Sequence, residues 1–240
     1  MARLIDWVVL LSSFAIGTAM AHYQFTALMI EGGTTGDWTY VRKTNEYERV
    51  TTSGYGNPVK DVKSLDLRCN NTLIESPSGT ITIAAGEQLG FWSTVPAYHP
   101  GVFNVYMAQA PANVSEWDGS GEVWFRVHEI PPIIVKGDRS WINFPGQHQH
   151  VIEFTIPKAL PDGEYLVRIE NIALHMALTE GAEFYVSCGQ IKVTNGGTGT
   201  PHPLVSIPGV YTGEEPGLHI DVYSTDPPPY IMPGPPLWSE

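Results

Sequence analysis

Hydrophobic and polar positions alternate in short runs along most of this chain. Gly79-Thr80-Ile81-Thr82-Ile83 switches at every residue, the period of a strand with one buried face. The same strand character recurs in QLGFWST (88–94), FNVYMAQ (103–109), VWFRVHEI (123–130), HVIEFTIP (150–157), GEYLVRIENIAL (163–174), EFYVSCGQIKV (183–193) and LHIDVYS (218–224). Turn residues such as Pro161-Asp162-Gly163 punctuate these runs, and no long segment carries helical spacing. The pattern predicts an all-β, immunoglobulin-like or fibronectin-III-like β-sandwich with long decorated loops and little helix.

Two stretches resist the strand pattern. Residues 31–63, rich in Gly, Thr, Tyr and Asn, read as one long decorated loop. The tail from Thr194 onward contains NGGTGTPHP and DPPPYIMPGPPLWSE. Its prolines forbid central-strand pairing and stiffen an extended path. Tyr211, Tyr223, Tyr230 and Trp238 predict that this tail packs on the domain. There is no internal repeat, and no attached carbohydrate-binding module is expected.

The first 21 residues have a different character. Arg3 and the starting amine are positive, Trp7 to Ile16 is mostly apolar, and Ala19-Met20-Ala21 is a small-x-small cleavage site. These are the parts of a secretory signal peptide, and the apolar run is shorter than the roughly 20 residues of a membrane-spanning helix. The expected mature chain is a single secreted, extracellular domain over residues 22–240, with His22 as its first residue.

Composition narrows the partners. Thirteen basic residues against 25 acidic ones give a formal charge of −12, without a Lys/Arg-rich run. Nucleic acid and anionic membranes are therefore poor partners, and a neutral polymer or a small ligand fits better. In an oxidising compartment the only two cysteines, Cys69 and Cys188, predict one disulfide. Sequons begin at Asn70 and Asn113.

An amino-terminal histidine offers two nitrogens from one residue, the α-amine and the imidazole Nδ1. One further imidazole completes a three-nitrogen T, which suits tetragonal Cu(II). The candidates for that second ring are His99, His128, His148, His150, His175, His202 and His219. The histidines of QHQH (147–150) lie in a polar, turn-like stretch and read as solvated surface; His128, His202 and His219 have no partner pattern. His99 sits in a Pro-flanked loop ahead of a strand, where functional residues concentrate.

These pieces together resemble a family. AHYQF at the cut site, TGDWTYVR, YHPGVFNVYMAQAP, VWFRVHE, LPDGEYLVRIENIALH, GAEFYVSCGQIKV and PLVSIPGVYTGEEPG are similar, in order and over essentially the whole mature chain, to the fungal lytic polysaccharide monooxygenases of auxiliary activity family 9, formerly glycoside hydrolase family 61. The resemblance implies one copper per chain, held by His22 through amine and ring, by His99, and axially by Tyr185. It implies oxidation of cellulose or a related β-glucan at C1 and/or C4 with O2 or H2O2, an external electron donor, and a monomer. His175 matches an outer-shell histidine of the family, and Tyr47, Tyr98 and Tyr230 match aromatics of its substrate face.

One position departs from the pattern. Glu183 stands where the family usually has Gln, and the connection from His175 is one residue shorter than usual. An ionised carboxylate accepts hydrogen bonds but donates none, and it adds negative charge beside the metal. Glu183 is therefore expected to retune the oxidative chemistry without abolishing copper binding. The competing readings are a non-catalytic polysaccharide-binding sandwich and a copper-binding sandwich that has lost oxidation; a hydrolase is weaker, because no carboxylate pair stands out.

Overall fold

The computed structural model describes residues 22–48, 50–51, 54–73 and 78–239. The expected leader and its cleavage site lie outside these residues. In chain order the strands are β1 (Phe25–Ile30), β2 (Gly33–Thr34), β3 (Val50–Thr51), β4 (Gly54–Tyr55), β5 (Ile81–Ala84), β6 (Gln88–Ser93) and β7 (Gly101–Gln109). They continue as β8 (Glu122–Ile130), β9 (Ile133–Val135), β10 (Trp141–Asn143), β11 (Val151–Thr155), β12 (Gly163–Ala173), β13 (Glu183–Thr194) and β14 (Val205–Ser206). One short helix, α1 (Asp66–Cys69), and two 3-10 turns are the helical content of the described residues.

The sandwich pairs a four-stranded sheet, ordered β11-β6-β1-β2, with a six-stranded sheet ordered β14-β8-β7-β12-β13-β5. Within the larger sheet only β13–β5 is parallel. Phe103, Val105 and Met107 of β7 and Tyr165, Val167 and Ile169 of β12 face the first sheet and meet Phe25, Leu28, Phe91 and Phe154. Their burial is the main hydrophobic driving force of the sandwich.

The alternation predicts a solvated outer face for each sheet, and in the centre of the larger sheet the structure differs. Tyr106, Leu166 and Ile172, on the opposite face of β7 and β12, belong to a second buried cluster with Leu67, Phe184, Ile207, Tyr211 and Leu218. The two stretches that resist the strand pattern in the sequence, in which only the two-residue strands β2, β3, β4 and β14 form, supply this cover together with α1. In the first, Arg42 N–H donates to Cys188 O at 2.8 Å, and Val59 and Phe184 exchange both backbone hydrogen bonds at 2.9 Å. This segment therefore shields the edge of β13, which would otherwise be an open template for pairing. The disulfide Cys69–Cys188 fastens α1 to the same strand.

The proline-rich tail supplies the second cover. Arg168 and Glu170 form a fully buried ion pair at 2.7 Å, and Glu170 accepts from Tyr211 Oη at 2.6 Å and Asn104 Nδ2 at 3.0 Å. Arg126 donates to Asn104 Oδ1 at 3.0 Å and to Pro233 O at 3.1 Å, and Trp238 N–H donates to Arg126 O at 2.8 Å. Shared hydrogen bonds make burial of these charges tolerable and give the tail one path over the sheet.

Residues 218–224 correct one expectation. LHIDVYS alternates, and Leu218, Ile220 and Val222 are indeed buried, but no ladder forms. Pro216 opens a 3-10 turn, and the Asp221 side chain accepts from Tyr223 N–H at 2.9 Å, so local hydrogen bonds replace pairing. The disulfide closes a 119-residue separation. Replacing both cysteines with serine is expected to lower the unfolding free energy by about 2–5 kcal/mol, read from the urea midpoint; a loss below about 1 kcal/mol would mean that the backbone bonds along β13 hold the segment unaided.

Candidate metal centre

One row of residues across three strands builds the site. Gly101 of β7 lies opposite Ala173 of β12, and Ala173 lies opposite Glu183 of β13. The glycine is required by this close approach: a Cβ on residue 101 would sit 2.2 Å from Ile172 O. Beyond the row, Leu174 N–H donates to Pro100 O at 2.8 Å and hooks the two strand ends together. His99 and His175, two residues outside the row, are thereby stacked, with ring centroids 3.8 Å apart and planes 4° from parallel.

The QHQH turn backs the His99 loop. His148 N–H donates to Ala97 O at 2.7 Å, Ala97 N–H donates to Gln149 O at 3.0 Å, and Gln147 Nε2 donates to Tyr98 O at 2.8 Å. His148 and His150 are exposed, as expected, but the turn that carries them fixes the loop. On the other side, His22 precedes β1, its ring 6.2 Å from His99 and 5.9 Å from Tyr185. Tyr185 stacks on buried Tyr23 at 4.3 Å, and Tyr23 Oη donates to Asn171 Oδ1.

The electrostatics suit a metal. His22, His99 and Glu183 each bring a donor atom into one cluster in which all three atoms lie within 4.8 Å of one another. Burial, helped by neighbouring His175, pulls the His99 pKa from 6.5 down to about 4. His99 is therefore neutral at ordinary pH, and its Nε2 is buried without a hydrogen-bond partner. A desolvated, unprotonated imidazole nitrogen of this kind fits a metal ion. Desolvation first, then Tyr23 and Glu183, hold the Tyr185 phenol far above its ordinary pKa, so it stays protonated and donates to Glu183 Oε2 at 3.4 Å.

Two features differ from the sequence expectation. Glu183, assigned to the outer shell, brings a carboxylate oxygen into the cluster itself. His22 Nδ1 lies 3.0 Å from Gly56 O and so donates to it. With Ala21 still attached, the His22 nitrogen belongs to a peptide bond and offers no amine with which Nδ1 could close a chelate.

A family model for Auxiliary Activity family 9 (formerly GH61) matches residues 22–230. The chain belongs to this family. It is 47% identical, over 92% of its length and 94% of the relative's, to AA9 family lytic polysaccharide monooxygenase C of Emericella nidulans. It is 43% identical to monooxygenase H of Malbranchea cinnamomea, over 92% of this chain and 93% of that one. Among solved structures, a cellulose-active polysaccharide monooxygenase from M. thermophila superposes with a TM-score of 0.72 at 28% identity, covering 90% of this chain and 99% of that one. This family member is accordingly an oxidoreductase acting on polysaccharide, a copper-dependent monooxygenase.

The expected aromatics of this AA9 protein occupy three settings. Tyr98 is 46% exposed, with its ring edge-on to His99 at 5.6 Å. Tyr47 lines a cleft together with Lys60, and Lys43 Nζ lies 4.6 Å above its ring. Tyr230 is half-buried, its hydroxyl donating to Gly217 O at 2.9 Å. His128, by contrast, leans on Phe154 at 6.2 Å, and His202 and His219 bond to backbone oxygens of their own loops.

Sequence reading missed Lys60, whose Nζ lies 3.0 Å from both Glu183 Oε1 and Glu180 Oε2. It stands in the decorated loop, where no periodicity marks it. Tyr23 was detectable as the neighbour of His22 in AHYQF, although its stacking role was not.

The low pKa of His99 gives a signed prediction for the metal-free protein. From about pH 6.5 down to about 4, the unfolded chain takes up a proton that folded His99 refuses. Stability from this group is thus full above pH 6.5 and lost on acidification, and burial depresses His175 in the same direction. His99→Gln is expected to flatten the pH dependence of the thermal midpoint across that window; an unchanged slope would assign the acid loss elsewhere.

Proposed function

We propose that this protein is a secreted monooxygenase that cleaves β-1,4-glucan, cellulose in the first instance, by hydroxylating C1 and/or C4, with His22 and His99 as its copper ligands. The observation that carries this reading is the buried, neutral His99 Nε2, without a partner and in one cluster with His22. Removal of residues 1–21 would free the His22 amine and let its ring leave the Gly56 carbonyl to complete the nitrogen set. Bound copper supplies the reductive activation of O2 or H2O2 that makes a sugar C–H bond oxidisable.

The chain's own residues do the rest. Tyr185, kept protonated by burial, would offer the metal a neutral oxygen and add no charge there. His175 lies beside Glu183, Nε2 to Oε2 3.8 Å, where protons can be held close to the reacting atoms. Exposed Tyr98 presents a ring next to His99 that can stack on a pyranose face; that Tyr47 and Tyr230 join this contact rests on the family resemblance. The cellulose-active name of the M. thermophila structure supports this polymer. Insertion of one oxygen atom from O2 into a C–H bond also takes two electrons and two protons and yields water, so an external reductant is required.

The test uses copper-loaded protein beginning at His22, amorphous cellulose and ascorbate, with soluble products weighed by mass spectrometry. Oxidised oligosaccharides that require both copper and ascorbate are expected, and His99→Ala should abolish them. Copper binding without oxidised products would overturn the reading. Replacing the charged acceptor with a donor-capable amide, Glu183→Gln, is expected to raise reductant-dependent turnover about threefold to tenfold, equivalent to ~0.7–1.4 kcal/mol of barrier; an equal rate would show that the carboxylate does not limit the chemistry.

A further inference from the structure

We propose that Lys60 is a positioning residue of the metal centre, tethering Glu183 Oε1 so that Oε2 is held toward His175 and Tyr185 and the carboxylate's charge is partly offset before it reaches the copper. The inference rests on the copper reading above.

Its basis is the covering segment. The paired backbone bonds between Val59 and Phe184 bring residue 60 alongside residue 183. Lys60 Nζ then reaches Glu183 Oε1 and Glu180 Oε2, each at 3.0 Å. The other oxygen of Glu183 accepts from Tyr185 Oη at 3.4 Å and lies 3.8 Å from His175 Nε2. Each Glu183 oxygen thus has its own partners, and the side chain is 8% exposed. A nearly buried carboxylate is costly unless a cation accompanies it, and in the metal-free protein Lys60 is that cation. A neutral Gln at this position would have no charge to offset. Glu180 in turn holds the ammonium from the solvent side, and both carboxylates raise the Lys60 pKa.

Without the tether, the full negative charge of Glu183 would act on the metal and favour Cu(II) over Cu(I). The test compares unsubstituted protein, Lys60→Met, Lys60→Arg, Glu183→Gln and the Lys60→Met/Glu183→Gln pair, all beginning at His22. Cu(II) and Cu(I) affinities are measured by competition titration, together with the Cu(II) electron paramagnetic resonance spectrum. Lys60→Met is expected to raise the Cu(II)/Cu(I) affinity ratio roughly two- to fivefold, the size of an ion pair with one half-exposed partner, and to shift the spectrum. Lys60→Arg should restore both readouts, and in the Glu183→Gln background the Met substitution should move the ratio by less than half as much.

A ratio and spectrum untouched by Lys60→Met would overturn the proposal and leave the pair a surface contact. An equal shift in both backgrounds would also overturn it, because Lys60 would then act on the metal without Glu183. Unsubstituted protein that takes up no copper would overturn the copper reading itself, and the inference with it.

Discussion

The site depends on the pairing of Gly101, Ala173 and Glu183 across β7, β12 and β13. A slip of one residue in either ladder would send every side chain of a strand to the opposite face. The missing Cβ at Gly101 lets the first pair close, since any larger residue would meet the backbone at Ile172. From that row, two residues outward on β7 lead to His99, two outward on β12 to His175, and two inward on β13 to Tyr185. The candidate centre therefore sits at the ends of three adjacent interior strands of the larger sheet, and the placing of these residues has the precision of backbone hydrogen bonding. The loops add to this geometry and do not create it.

The sheet is in turn stabilised from its outer side. Tyr211 and the Pro233 carbonyl join Arg126, Arg168 and Glu170 in one buried network, so the tail and the sheet support one another. The covering segment around α1 does the same along β13 and carries Lys60 to Glu183. A protein whose chemistry sits on an open face needs such backing, because that face must stay free for a polymer. Tyr98 is exposed, while His99 beside it is almost entirely buried. The contrast leaves an aromatic ring free at the surface beside an imidazole nitrogen in a drier environment, where a polar group needs a partner.

Much of this was legible in the sequence. Short strand-like runs between turn residues, many of them alternating, identified seven of the strands, because side-chain direction in a strand has a period of two. The words AHYQF, YHPG and EFY around His22, His99 and Tyr185 carry a family pattern, and the membership they imply is shown; the glycine of YHPG proves to have a steric reason. LHIDVYS was misread because alternation reports which side chains are buried and is silent on whether the backbone finds a partner. In that stretch Pro216 and Asp221 turned the chain locally while its apolar residues still reached the core.

Sequence by itself thus determined the β architecture and the family, since both are written in local pattern. Only the tertiary structure decided that both faces of the larger sheet are covered, that His99 stacks on His175, that Glu183 joins His22 and His99 in one cluster and that Lys60 meets Glu183. The reason is separation along the chain. Lys60 and Glu183 are brought together by a register between a loop and a strand edge, and such a register depends on the summed fit of many backbone and core contacts. No local word records that sum.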